Sequence, residues 1–278
     1  MLVVFCAILT YIGGIHMFKI RNYTTNDDVI VTANKGQFKV VEYLRDLSVT
    51  EDDSAQAFFN SQMNIHKRQL VAELNGNGVT LQAGAMQWML GDVNATTGLK
   101  GVGDFIGKMA RGAVTNESAI KPEYVGNGIV ALEPTFKYII LLDLSEWEDS
   151  IVLDDGLFLA CDANLKHKAV MRSNLSSAAL GNEGLFNLCI KGDGIVAIES
   201  RCPEEELIEI ELVNDVLKID GNLAIAWSES LDFTIERAGK SLIGSAASGE
   251  GLVNVFRGTG KVLMAPVNGR KIGMNSKF

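Results

Sequence analysis

Cys161 and His167 stand six residues apart with Asp162 between them, the nearest thing in the chain to a ligand or nucleophile cluster. A structural zinc site takes four N or S ligands, and a catalytic one takes three plus water. The remaining histidines, His16 and His66, have no Cys or second His nearby. The other cysteines, Cys6, Cys189 and Cys202, leave spacings of 155, 28 and 13 residues and form no CxxC. The residue 66 positions beyond Cys161 is Trp227, a large apolar side chain, so packing is the expected role and no metal site is expected. A nucleophilic Ser needs an elbow or a His base, but Gly244-Ser245-Ala246 lacks the second glycine. The adjacent carboxylates Asp154-Asp155 and Glu204–Glu206 fall at a turn and at the start of a strand, where acids are ordinarily solvated. The expectation is no catalytic residue, no cofactor and no enzyme.

The strongest motif is Gly-x-Gly in three copies. Gly126-Asn127-Gly128-Ile129-Val130 returns as Gly192-Asp193-Gly194-Ile195-Val196 and as Gly258-Thr259-Gly260-Lys261-Val262, at intervals of 66 residues. A dinucleotide-binding loop needs a third glycine and a following helix. Here strand-like residues follow, so Gly126, Gly128, Gly192, Gly194, Gly258 and Gly260 are expected at bulges or close backbone approaches. One consequence is that Gly→Val at 126, 192 and 258 should cost similar stability.

The elements around these motifs are β. Alternation from Ile208 to Leu212 predicts a half-buried strand, and Lys137–Leu142 a more buried one. Asp-Gly at 155–156 and 220–221 signals turns. Ser54–Leu74, with Ser54 as N-cap, predicts the main helix, and Phe105–Arg111 a second short one. Asp155-Gly156-Leu157-Phe158-Leu159-Ala160 echoes Asp220–Ala226 near the same period. These readings divide the chain into an apolar extension at 1–16, a single unit at 17–267 and a basic tail at 268–278. The unit would hold tandem repeats of about 66 residues, roughly 60–125, 126–191 and 192–257 with a closing strand.

Gln82-Ala83-Gly84-Ala85-Met86-Gln87-Trp88-Met89-Leu90-Gly91-Asp92-Val93, with the later Gly-x-Gly-x-Val and Asp-Gly blocks, resembles the altered-inheritance-of-mitochondria protein twenty-four family over most of 36–267. Gly84, Ala85 and Met86 match the family's Pro-Gly-Ala-Met motif. Ala83 departs from it where Pro is usual, as does the helical insertion around 52–74. The resemblance implies an all-β fold like the tryptophan RNA-binding attenuator, related to double-stranded β-helices, with trimeric assembly. It carries over no catalytic residue.

Composition narrows the partners. With 25 Lys+Arg against 34 Asp+Glu the net charge is −9, which argues against nucleic acid as a partner. The 28 glycines and four prolines suit tight turns between strands. Four cysteines in a chain 47% hydrophobic read as reduced thiols in a cytoplasmic protein. Residues 1–16 carry no charged side chain before Lys19 and Arg21. They read either as a short membrane-touching segment or as sequence upstream of a natural start at Met17; the second is favoured. After Glu250 there is no acid, while Arg257, Lys261, Arg270, Lys271 and Lys277 are basic. This end has three readings: contact with an anionic membrane, with an acidic face of a neighbouring subunit, or with solvent alone; the last is favoured, since five charges over 21 residues are no polybasic cluster. The expected function is a non-catalytic structural or interaction protein, homo-oligomeric; the alternative is a β-module binding a small molecule or glycan.

Overall fold

A computed structural model describes residues 18–96, 121–171, 186–220, 222–237 and 252–267. The extension at 1–16, the helix expected at Phe105–Arg111, Gly221 and the tail at 268–278 lie outside the described residues. Fifteen strands and one helix are described. In order they are β1 (Val29–Lys35), β2 (Phe38–Tyr43), α1 (Ser54–Gln62), β3 (Lys67–Leu81), β4 (Met86–Thr96) and β5 (Glu123–Leu132). Then come β6 (Tyr138–Asp143), β7 (Ser150–Leu153), β8 (Phe158–Asp162), β9 (Lys166–Met171), β10 (Phe186–Lys191) and β11 (Ile195–Ser200). The last four are β12 (Ile208–Asp220), β13 (Ala224–Ser228), β14 (Asp232–Arg237) and β15 (Leu252–Met264).

They form two antiparallel sheets. The first has eight strands in the order β1-β2-β3-β8-β11-β6, with β5 on the other edge of β3 and β4 beyond it. The second has seven, β12-β15-β13-β7-β10-β9, with β14 also on β15. The all-β expectation is met. Among the described strands the chain passes between the sheets five times, at β6–β7, β7–β8, β8–β9, β10–β11 and β11–β12, and two of these passages face each other. β6 lies in the first sheet and β7 in the second, joined by a 3-10 turn at Leu144–Trp147; β10 and β11 make the reverse passage through Gly192-Asp193-Gly194. The core between them includes Ile140, Leu144, Ile151, Leu153, Ile190, Val196 and Ile198, all buried. Beta-branched and leucine side chains in short runs suit strands buried on both faces.

The helix is shorter than the sequence predicts. It ends at Gln62, where Asn64 takes a left-handed φ of 58°, and Lys67 begins a fifteen-residue strand. The segment expected as the helix's second half pairs with β2 from Lys67 to Ala72 and with β5 from Val71. Ladder pairing on both edges and full burial of Leu70 and Ala72 override local helix propensity. The N-cap is Asp53, not Ser54; the Ser54 hydroxyl instead donates to the Glu51 carbonyl at 2.7 Å.

Candidate interaction surface

The Gly-x-Gly copies occupy three settings. Gly126 and Gly128 lie within β5, opposite a bulge in β3 between Asn75 and Asn77. Gly192 and Gly194 lie at the passage between sheets. Gly258 and Gly260 lie within β15, opposite a bulge in β12 between Leu212 and Asp215. Gly126, Gly192 and Gly258 have φ of 135°, 123° and 119°, a region costly for any other residue. Their surroundings differ. A Cβ on Gly126 would meet the Asp92 carbonyl oxygen at 2.0 Å; on Gly192, the Leu165 Cδ2 at 3.0 Å; on Gly258, nothing nearer than the Ser230 carbonyl oxygen at 3.7 Å. One register recurs in the last two copies and not in the first, where Ala95 pairs with Tyr124. Cys161 pairs with Val196 in the β8–β11 ladder as Trp227 pairs with Val262 in β13–β15, and each ladder then has a bulge.

The structure brings Cys161 and His167 together, with Sγ 3.1 Å from Nε2. Cys161 is fully buried, and desolvation with the nearby Asp162 charge pushes its thiol well above the usual range. Desolvation of the imidazole, then the Lys121 cation, pushes His167 down to about 4. The ring also packs edge-on to Phe158 at 5.9 Å. Both groups are therefore neutral near pH 7, an S–H and imidazole pair that supplies neither a thiolate nor a cation. Asp162 turns away: its carboxylate accepts from the Gln37 side-chain amide and from the Ile195 N–H. Among the described residues no three His, Cys, Asp or Glu side chains cluster as a metal site.

Gly84, Ala85 and Met86 form the turn into β4. Gly84 has φ 79° with open space where a Cβ would point, and the Ala85 carbonyl accepts from the Glu133 N–H at 2.7 Å. This turn lines a cleft of about 420 Å³ together with Glu133, Gly156, Phe158 and Glu199. Glu199 is paired with Lys137 at 2.5 Å.

A different surface emerges around α1, and sequence reading missed it. The helix has no buried residue. Phe58 is 60% exposed, Phe59 67%, Met63 72% and Leu47 74%, with Ile65 and Phe136 also open. Lys67 joins the parts: its Nζ lies 2.5 Å from Asp46, beside Leu47, and 6.0 Å from the Phe136 ring. That contact holds the Asp46 carboxyl below its ordinary range. A nine-residue helix is marginal alone in water, so something must tie it down. Buried Arg68 does so. Its guanidinium donates to Glu42 at 2.7 Å and to the Asn64 side chain and carbonyl at 2.9 and 3.1 Å, and it stacks 4.1 Å over the Tyr138 ring. His66 bridges Glu42 Oε1 at 2.6 Å and the Ser61 carbonyl at 3.0 Å. The Tyr138 hydroxyl donates to the Asn64 carbonyl at 3.2 Å. A charged, hydrogen-bonded anchor thus fixes a helix whose own side chains face outward. Alternation within α1 alone could have suggested an apolar face, but not that nothing covers it.

Comparison with known proteins places the chain. The family model described as Mitochondrial biogenesis AIM24 matches residues 61–267. An uncharacterised protein of Streptococcus pyogenes serotype M6 is 32% identical over 202 residues, covering 70% of this chain and 79% of that protein. A Streptococcus pyogenes protein whose X-ray structure was determined by a structural genomics consortium is 30% identical with a TM-score of 0.54, covering 74% of this chain and 90% of that one.

Proposed function

The chain belongs to the Mitochondrial biogenesis AIM24 family, and within it we propose that this protein is a non-catalytic interaction module that assembles with copies of itself through the α1 surface. The observation that carries the reading is the exposed set Phe58, Phe59 and Met63 on and just beyond α1, the two rings in edge contact at 5.5 Å, on an element tied down by Arg68 and its buried ion pair with Glu42. Scattered exposed apolar residues are ordinary, but a contiguous group marks a contact site. Aromatic and Met side chains are enriched in such sites. Burying two Phe and a Met would contribute several kcal/mol at about 25 cal/mol per Å² before association costs are met. A cytoplasmic setting is part of the same reading, supported by three buried free thiols. Among the described residues no helix is long and apolar enough to cross a membrane.

Light scattering on the purified chain tests this reading. The wild type is expected to assemble with rising concentration, and Phe58→Ser with Phe59→Ser to stay monomeric with an unchanged melting temperature, since neither side chain is buried. A double variant that assembles like wild type refutes it. The cleft at Gly84 favours a second reading, a small-molecule or glycan site, because the motif shared with the family forms its wall. Native mass spectrometry of protein from its own organism, with Gly84→Trp filling the open space, separates the two.

A further inference from the structure

The chain leading into α1 is acidic. From Asp46 to Ile65 the chain carries Asp46, Glu51, Asp52 and Asp53 and no Lys or Arg. Lys67, the next base beyond His66, is paired with Asp46. An isologous contact, patch on identical patch, would set these carboxylates against their own copies, and like charges juxtaposed across an interface are unfavourable. The complement on a second copy must therefore be both basic and apolar.

Residues 268–278 have that chemistry, in common with 105–116 and 163–182, and of the three they alone follow the last described strand. Residues 268–278 hold Arg270, Lys271 and Lys277 among Ile272, Met274 and Phe278, with no acid. The basic side chains of β15 are already engaged: Arg257 with Glu236, and Lys261 with Glu209 and Glu211. The last described strand ends at Met264, paired with Ile208. Pro266 and exposed Val267 follow. Eleven residues span at most about 36–40 Å extended, enough to leave one molecule and cross a neighbour's face.

Resting on the reading of α1 as the self-association surface, we propose that residues 268–278 of one copy seat on the Phe58–Phe59–Met63 surface of the next, with Arg270 and Lys271 against Glu51 and Asp52. The contact is heterologous. Each copy gives one arm and receives one, so assembly closes as a ring if the rotation allows. Salt weakens it, because the charges involved are exposed.

Two full-length variants test this. The patch variant is Phe58→Ser with Phe59→Ser, and the arm variant is Arg270→Glu with Lys271→Glu. Each is expected to be monomeric by light scattering and to keep the wild-type melting temperature. Mixed in equal amounts they retain one intact arm and one intact patch, so a dimer of one patch and one arm variant is expected, at least tenfold weaker in 0.5 M than in 0.05 M NaCl. Adding Glu51→Lys and Asp52→Lys to the arm variant should restore assembly, which excludes misfolding as the cause. An arm variant that assembles normally overturns the proposal; if the patch variant still dissociates, the α1 reading survives without the arm. Two monomeric variants that fail to pair on mixing show the arm acting within its own chain, and also overturn it. A wild type that is monomeric at every concentration, with the patch variant identical, removes the α1 reading itself. Wild type that instead sediments with phosphatidylserine vesicles while staying monomeric would assign the basic segment to lipid and overturn the exchange of arms.

Discussion

Glycine substitutions separate two physical costs that the sequence alone merges. Gly84 has a left-handed φ of 79° and empty space beside it. Gly128 has no left-handed φ, but a Cβ there would sit 2.0 Å from the Leu90 carbonyl oxygen. Gly126 combines both, with φ 135° and the Asp92 carbonyl at 2.0 Å, while Gly258 has φ 119° and 3.7 Å of clearance. An alanine at Gly84 or Gly258 should therefore incur only backbone strain, about 1–3 kcal/mol. At Gly126 the added methyl must also push β4 from β5 by more than ~1 Å to reach ordinary contact. That displacement weakens ladder hydrogen bonds worth about 0.5–1.5 kcal/mol each. If two are lost, Gly126→Ala costs about 2–6 kcal/mol, a large share of the ~5–15 kcal/mol that holds a domain folded. Gly128→Ala should show the steric part alone. At about 2–4 °C per kcal/mol for a chain approaching this size, calorimetry should place the melting temperature of Gly126→Ala clearly below that of Gly258→Ala. The equal penalties expected from the 66-residue spacing give way to a graded series. If Gly126→Ala melts at or above Gly258→Ala, close backbone approach is not what holds glycine in β5.

The buried pair at Cys161 gives a second expectation. With His167 at about 4 against an ordinary 6.5, the unfolded chain binds a proton between those values that the folded chain refuses. That contribution to stability is complete above about pH 6.5, declines as pH falls toward 4 and is then fully lost; His167→Gln should flatten the decline in urea melts. A His167 NMR titration midpoint at or above 6.5 would refute it. Cys161 in the folded chain should resist a thiol reagent at pH 8 that labels it after denaturation, since burial keeps it protonated. Arg68→Met should cost about 3–5 kcal/mol by leaving the buried Glu42 carboxylate with His66 as its one remaining partner, and hydrogen exchange should show the amides of α1 losing protection first. Glu42→Leu with Arg68→Met together should cost less than Arg68→Met alone.

The strands were legible because their side chains obey local rules. Ile208 to Leu212 alternates, Tyr138 to Leu142 is continuously apolar, and Asp155-Gly156 turns with Gly156 at φ 79°. The helix was overread because Ala, Gln and Leu between Ser54 and Leu74 favour helix locally, while the competing ladders come from β2 and β5, the latter more than fifty residues away. The meeting of Cys161 with His167 was visible as a spacing, but their neutrality depends on burial that spacing does not encode. The α1 surface was the least legible. Its exposure follows from Glu42, His66, Arg68, Asn64 and Tyr138 converging from three separate segments, a contact no periodicity announces.

Two of the passages between sheets, β6 to β7 and β10 to β11, bear on how the molecule comes apart. The antiparallel ladder of β6 with β11 and the ladder of β7 with β10 are one long hairpin-like ribbon, folded at Leu144–Trp147 on one side and at Gly192–Gly194 on the other. Each sheet therefore owns half of the same ribbon. Pulling strands from either sheet strips residues such as Ile140 and Ile190 from a core they share. The sheets look separable on a strand diagram, yet neither has a seam along which it could melt while its neighbour stays whole. Mechanical load applied to one end is carried across the fold into the other, and loss of order spreads along the ribbon instead of stopping at a boundary.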